Sequence, residues 1–203
     1  MPPSIQPRKK SFSSFTQPEA LKYLGLKRLT PWSFLASPVE ISDFFHQRLH
    51  RLKRFDLKSF EVSKTLLIDA ICEEGLEELP RLKIWKGAYL EDEMTAGNAD
   101  YLLAEQQDYL ETPFVCVIEA KRDDFEQGTA QCLVEMKACQ WTNQQAGRSI
   151  EIYGIVTNGE GWKFYRLMTS GEVFESLLHG IGEMSILLGL VREFFKECDR
   201  NLD

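Results

Sequence analysis

Apolar positions along the chain recur at two spacings, and the switches between them mark out the elements. Phe44, Phe45, Leu49 and Leu52 fall at helical intervals behind Ser42, so a helix capped by Ser42 is predicted to about Phe55. A second helix is predicted from about Phe60 to Glu74, with Leu66, Leu67, Ala70 and Ile71 as its core face and Gly75 at its end. After Pro80 the period drops to two. Strands are predicted over residues 82–90, with Gly87 at a bend, and then over 97–104 and 113–121. Helical spacing returns from Gly128 to about Asn143 through Ala130, Leu133, Val134, Lys137 and Ala138. Strands over 150–156 and 162–167 flank the hairpin signal TNGEG at 157–161, and residues 172–174 add a short strand. An amphipathic helix over 184–196 closes the chain. Residues 1–18, rich in Pro, Ser, Lys and Gln, read as a disordered tail. Residues 19–203 then form a single domain with an N-terminal helical extension. The order of elements predicts an α/β fold with a mixed central β-sheet flanked by helices.

Chemistry concentrates at two strand ends. Alternation along PFVCVIEAK puts Val115, Val117, Glu119 and Lys121 on one face and Cys116, Ile118 and Ala120 on the other. A carboxylate and an ammonium therefore end an otherwise apolar strand, about 7 Å apart along the chain. Burial of such charges is costly unless each has a partner or a metal. Asp100 borders a similar apolar run, GNADYLLA, one strand earlier. Two carboxylates and a lysine at neighbouring strand ends suit a divalent cation and a phosphodiester. The plain alternative is a strand-end ion pair on a solvated edge.

Asp100 followed by Glu119-Ala120-Lys121 resembles the D…E-x-K signature of the PD-(D/E)XK nuclease superfamily. Gln131 resembles the glutamine that many of these nucleases carry on the helix after the lysine strand. The resemblance covers roughly residues 60–168. It is closest to the N-terminal nuclease domains of type I restriction subunits and to small cyanobacterial proteins of unassigned function. Asn98-Ala99 precede Asp100, so the proline of the motif's name is absent, as it often is in the superfamily. The resemblance implies a restriction-endonuclease-like fold and a metal-dependent DNA endonuclease. It assigns catalysis to Asp100, Glu119, Lys121 and Gln131. Mg²⁺ (or Mn²⁺) would be held by Asp100, Glu119, the Ala120 carbonyl and a helix acid. Glu61 fits that last role best, because EVSKTLLIDA resembles the corresponding helix, with Asp69 and Glu73 as fallbacks. DNA is the implied partner, through a homodimer or a larger restriction-type complex. A second reading keeps the fold and drops the chemistry: a catalytically silent interaction or regulatory subunit.

Charge modifies this picture. The net charge is −7, unfavourable for a nucleic-acid binder, but residues 1–60 carry +7 and the remainder −14. The densest basic stretch, HQRLHRLKRFDLK at 46–58, offers phosphate contacts or simply a solvated helix face. The five cysteines are odd in number and lack a C-x-x-C pair, which reads as free thiols in a reducing cytoplasm. No apolar run reaches the roughly 20 residues that span a bilayer. His46 and His50 stand four apart but lack a third zinc ligand, and no P-loop, G-x-S-x-G or G-x-G-x-x-G is present.

Overall fold

A computed structural model describes residues 9–57, 61–121 and 124–203, with the side chains of residues 61 and 62 outside that description. In chain order the elements are Lys10–Ser11 (β1), Gln17–Tyr23 (α1), Thr30–Trp32 (β2), Asp43–Leu52 (α2) and Glu61–Gly75 (α3). They continue with Leu82–Glu91 (β3), Thr95–Glu105 (β4), Phe114–Ala120 (β5), Phe125–Gln145 (α4) and Ile152–Thr157 (β6). The chain ends with Gly161–Leu167 (β7), Val173–Ser176 (β8), His179–Gly180 (β9) and Met184–Arg200 (α5). The strands form one mixed sheet, ordered β1-β4-β5-β6-β7-β8-β2, with β3 on β4 and β9 on β7. The expected α/β architecture, a mixed central sheet flanked by helices, is what forms.

Most neighbouring strands run antiparallel. In the centre, β5 and β6 are parallel, with Cys116 opposite Tyr153 and Ala120 opposite Thr157. Parallel neighbours need a crossover, and α4 supplies it. It therefore lies across the face of β5 and β6, over Val117 and Val156. The other face carries α3 and α5, which bury Ile68, Ile71, Phe194 and Phe195 against Cys116, Ile118 and Ile155. Phe34, Tyr153, Phe164 and Phe194 pack there with ring centroids 5.0–5.9 Å apart, tilted or edge-on as aromatic quadrupoles favour.

The helix ends follow local chemistry. Ser42 accepts from the Phe45 amide at 3.0 Å and caps α2. Asp124 accepts from the Gln127 amide at 2.9 Å, so α4 starts at Phe125, three residues before Gly128. In the 157–161 turn, Asn158 Oδ1 accepts from the Glu160 and Gly161 amides, and Gly159 takes a φ of 86°.

Several expectations need correction. Residues 9–18, assigned above to a disordered tail, are ordered, while residues 1–8 lie outside the described residues. Two aromatic anchors account for this. Phe12 and Phe15 are buried, Phe12 against Gly97, where a Cβ would stand 2.7 Å from its ring. Gln127 Nε2 fastens the segment through the carbonyls of Ser13 and Phe15. Val115 leaves the Glu119 face, because Leu103 pairs with Cys116 but Ala104 with Phe114, making Val115 an extra, bulged residue. Phe44 is exposed, since the buried side of α2 is set by Phe45 and Leu52. The stretch 91–96 is not all turn, because β4 begins at Thr95. Phe60, the expected start of the second helix, and Lys58 of the basic stretch lie outside the described residues.

If residues 9–18 belong to the core, Phe12→Ala should cost about 3 kcal/mol or more, the usual loss for a buried phenylalanine. Denaturant unfolding checks this, and a loss under about 1 kcal/mol would mean that the segment merely rests on the surface.

Candidate functional site

Asp100 and Glu119 stand on adjacent antiparallel strands, β4 and β5. Their ladder runs from Ala104 down to Tyr101, opposite Ile118. Beyond that pair the Asp100 side chain takes over, and its Oδ2 accepts from the Ala120 amide at 2.9 Å. Gly87 on β3, with a φ of 66°, falls between Lys86, which pairs with Tyr101, and Ala88, which pairs with Ala99. A left-handed residue there bends β3 opposite Asp100, as only glycine does cheaply.

Glu119 is fully buried on a central strand. The solvated-edge alternative is therefore excluded. The Glu119 carboxyl faces α4, where Lys121 and Gln131 meet it. Lys121 Nζ lies 2.6 Å from Oε1, an ion pair that favours the charged carboxylate. Gln131 Nε2 donates to Oε2 at 3.0 Å, and Gln131 Oε1 accepts from Lys121 Nζ at 3.0 Å. Gln131 sits in the second turn of α4, so the helix that closes the parallel crossover also aims this amide at the lysine strand. Gly128 makes the approach possible, since a Cβ there would stand 2.7 Å from Val156 and 2.9 Å from the Lys121 stem. Lys121 is partly exposed at 22 %, so its ammonium joins the buried acid to solvent.

One member of the cluster was missed in the sequence. Glu135, one turn beyond Gln131, is fully buried, and its Oε1 accepts from Gln131 Nε2 at 2.9 Å. Its Oε2 meets no donor among the described residues other than the neighbouring Glu119 carboxyl when one of the two is protonated. The signal was its position four residues after Gln131, on the same helix face. It was masked because an acid inside a helix ordinarily marks the solvent side, whereas this one shares with Gln131 the side of α4 turned toward β5.

The acids perturb one another. Burial first, and the negative charge of Asp100 second, push Glu119 up to about 8, with Lys121 pulling the other way. Burial, then the charge of Glu119, holds Glu135 well above the ordinary carboxylic range. Asp100 is thus within electrostatic reach of both.

The remaining candidates are placed as follows. Glu61 is the first residue of α3, with its side chain outside the described residues. The fallback acids are held elsewhere. Asp69 pairs with Lys86 at 2.9 Å and accepts from the Tyr101 hydroxyl at 2.8 Å, and Glu73 meets Arg48 at 3.4 Å. Ala120 is buried, with its amide on Asp100. His46 and His50 are solvent-exposed. Among the described residues, no three Asp, Glu, His or Cys side chains stand assembled as a metal-ligand set. All five cysteines are free and buried. Among the described residues no helix is long and apolar enough to cross a membrane. No protein-family model matches the chain, and no curated protein matches it.

The donor set nevertheless suits a hard cation. Oxygen ligands are what Mg²⁺ requires, and Glu119 Oε1 is a buried carboxyl oxygen compensated only by the Lys121 ammonium, a position a cation could share. In the absence of cation the strain should appear as pH dependence. A carboxyl raised from about 4.5 to about 8 on folding contributes most to stability below pH 4.5. That contribution is lost as pH rises through the folded value. In chelator, Glu119→Gln should match wild-type stability near pH 5 and exceed it by a few kcal/mol, roughly 3–5, near pH 9. Chemical unfolding at the two pH values checks this, and a difference independent of pH would show that Glu119 is not strained.

Proposed function

We propose that this protein is a metal-dependent deoxyribonuclease of the PD-(D/E)XK type, with a restriction-endonuclease-like fold, hydrolysing phosphodiester bonds at the Asp100–Glu119–Lys121 cluster. The observation that carries the reading is the convergence on a central strand end of a buried glutamate, an adjacent-strand aspartate, a lysine and a helix glutamine. A carboxyl desolvated to this degree costs several kcal/mol unless it serves something, and a divalent cation is the charge best able to offset it.

Asp100, Glu119 and the Ala120 carbonyl would hold Mg²⁺ or Mn²⁺, and the start of α3 brings Glu61 as the candidate fourth ligand. When bound, the cation supplies Lewis-acid polarisation of a phosphate oxygen and a more acidic water. The chain's own residues do the rest. Lys121 reaches solvent and stabilises negative charge growing on the scissile phosphate, or orients the attacking water. Gln131 sets the direction of the lysine. The buried apolar residues Val117, Ala130 and Val156 keep the local dielectric low, so each charge acts strongly.

Duplex DNA also needs a basic approach. Arg51, Lys53 and Arg54 are exposed and form no ion pair among the described residues, whereas Lys9, Lys86, Lys163, Arg81 and Arg166 are all paired. The start of α2 lies beside Glu74 through Ser42, and Arg48 and Arg51 further along it border Glu73 near the end of α3. This stretch would supply the phosphate contacts. One observation favours the silent alternative: Lys121 and Gln131 already occupy Glu119, and no three-ligand set stands assembled among the described residues.

With Mg²⁺ or Mn²⁺, purified protein should nick supercoiled DNA, and Lys121→Ala should lower the rate by about 100-fold or more, the scale of losing one preorganised charge donor. Equal nicking by wild type and variant would mean that the cluster is not the active site.

A further inference from the structure

We propose that Glu135 is a positioning residue that locks the side-chain amide of Gln131 in one orientation and thereby holds the Lys121 ammonium beside Glu119. Its catalytic consequence rests on the nuclease reading, but the geometric claim does not.

The two ends of a glutamine amide have almost the same shape, and only their partners decide which is which. Gln131 Nε2 carries two protons, and both are used. One goes to Glu119 Oε2 at 3.0 Å, the other to Glu135 Oε1 at 2.9 Å. The amide oxygen is thereby turned to Lys121 Nζ at 3.0 Å. A flipped amide would set its oxygen against two carboxyl oxygens and its NH₂ against an ammonium, unfavourable at all three contacts. Without Glu135, one amide proton would be left in a buried site with nothing to accept it.

Packing does not explain the residue. Leu133, Val134 and Met136 around it are fully buried and apolar, and a leucine or methionine would fill the same volume without desolvating a carboxyl. Its second oxygen meets no donor other than the neighbouring Glu119 carboxyl when one of the two is protonated. The chain tolerates that cost at the one helix position, four residues after Gln131, from which an acceptor reaches the second amide proton. The role needs an acceptor, not a charge, so glutamine at this position should serve and leucine should not.

The test is NMR of ¹⁵N-labelled protein in chelator, following solvent exchange of the Gln131 side-chain amide, with single-turnover cleavage of plasmid DNA in Mn²⁺ alongside. Both amide protons should be protected in wild type and in Glu135→Gln. In Glu135→Leu at least one should exchange tenfold faster or more, with α4 backbone amides unchanged. Cleavage should fall at least tenfold in kcat with KM unchanged in Glu135→Leu, and recover in Glu135→Gln. Fast exchange of both protons in wild type, or unchanged protection in Glu135→Leu, would overturn the proposal without needing any activity. Unchanged kcat in Glu135→Leu would overturn the link to Lys121. Absence of cleavage by wild type, with the exchange pattern as expected, would count against the nuclease reading alone.

Discussion

The Glu119 carboxyl has no contact with water, so everything that compensates it has to come from inside the chain. Three neighbours do so: an ammonium two residues along the same strand, an amide from the crossover helix, and a further acid that shares that amide. Each is delivered by topology. The parallel pairing of β5 and β6 forces α4 over this face, and Gly128 lets the helix close onto the Lys121 stem. The β4–β5 ladder stops at Tyr101 and Ile118, which frees Asp100 to take the Ala120 amide. Compensation is nonetheless incomplete, because Glu119 still sits near 8 and Glu135 well above the ordinary carboxylic range. A site left under that strain in the metal-free chain is one that a cation would relieve.

Much of this was legible in the residues, for identifiable reasons. Period-two alternation placed Glu119 and Lys121 on one face, and one turn of helix from the expected start at Gly128 placed Gln131 opposite them, although α4 in fact starts three residues earlier. These are local rules, and nothing in the tertiary structure overrides them between Cys116 and Lys121. What failed was non-local. The bulge at Val115 depends on how β4 and β5 run out of register, and no residue type there announces it. Phe12 and Phe15 are two anchors in a polar stretch whose average composition hides them. Glu135 was passed over because which side of α4 meets β5 depends on how the helix packs, and no residue type announces it.

The charge distribution fits the same division of the molecule. The acid-rich remainder of the chain holds the strained carboxyls, while Arg51, Lys53 and Arg54, at and just after the end of α2, are exposed and form no ion pair among the described residues. Under the proposed function, a cation bound by the acids would offset their repulsion of a phosphate.

The most direct test of the central claim is calorimetric titration of the metal-free protein with Mn²⁺, for wild type and for Asp100→Asn. The account predicts binding of one or two cations to wild type and loss of that binding in the variant. Equal binding by the two proteins, or none by wild type, would contradict it.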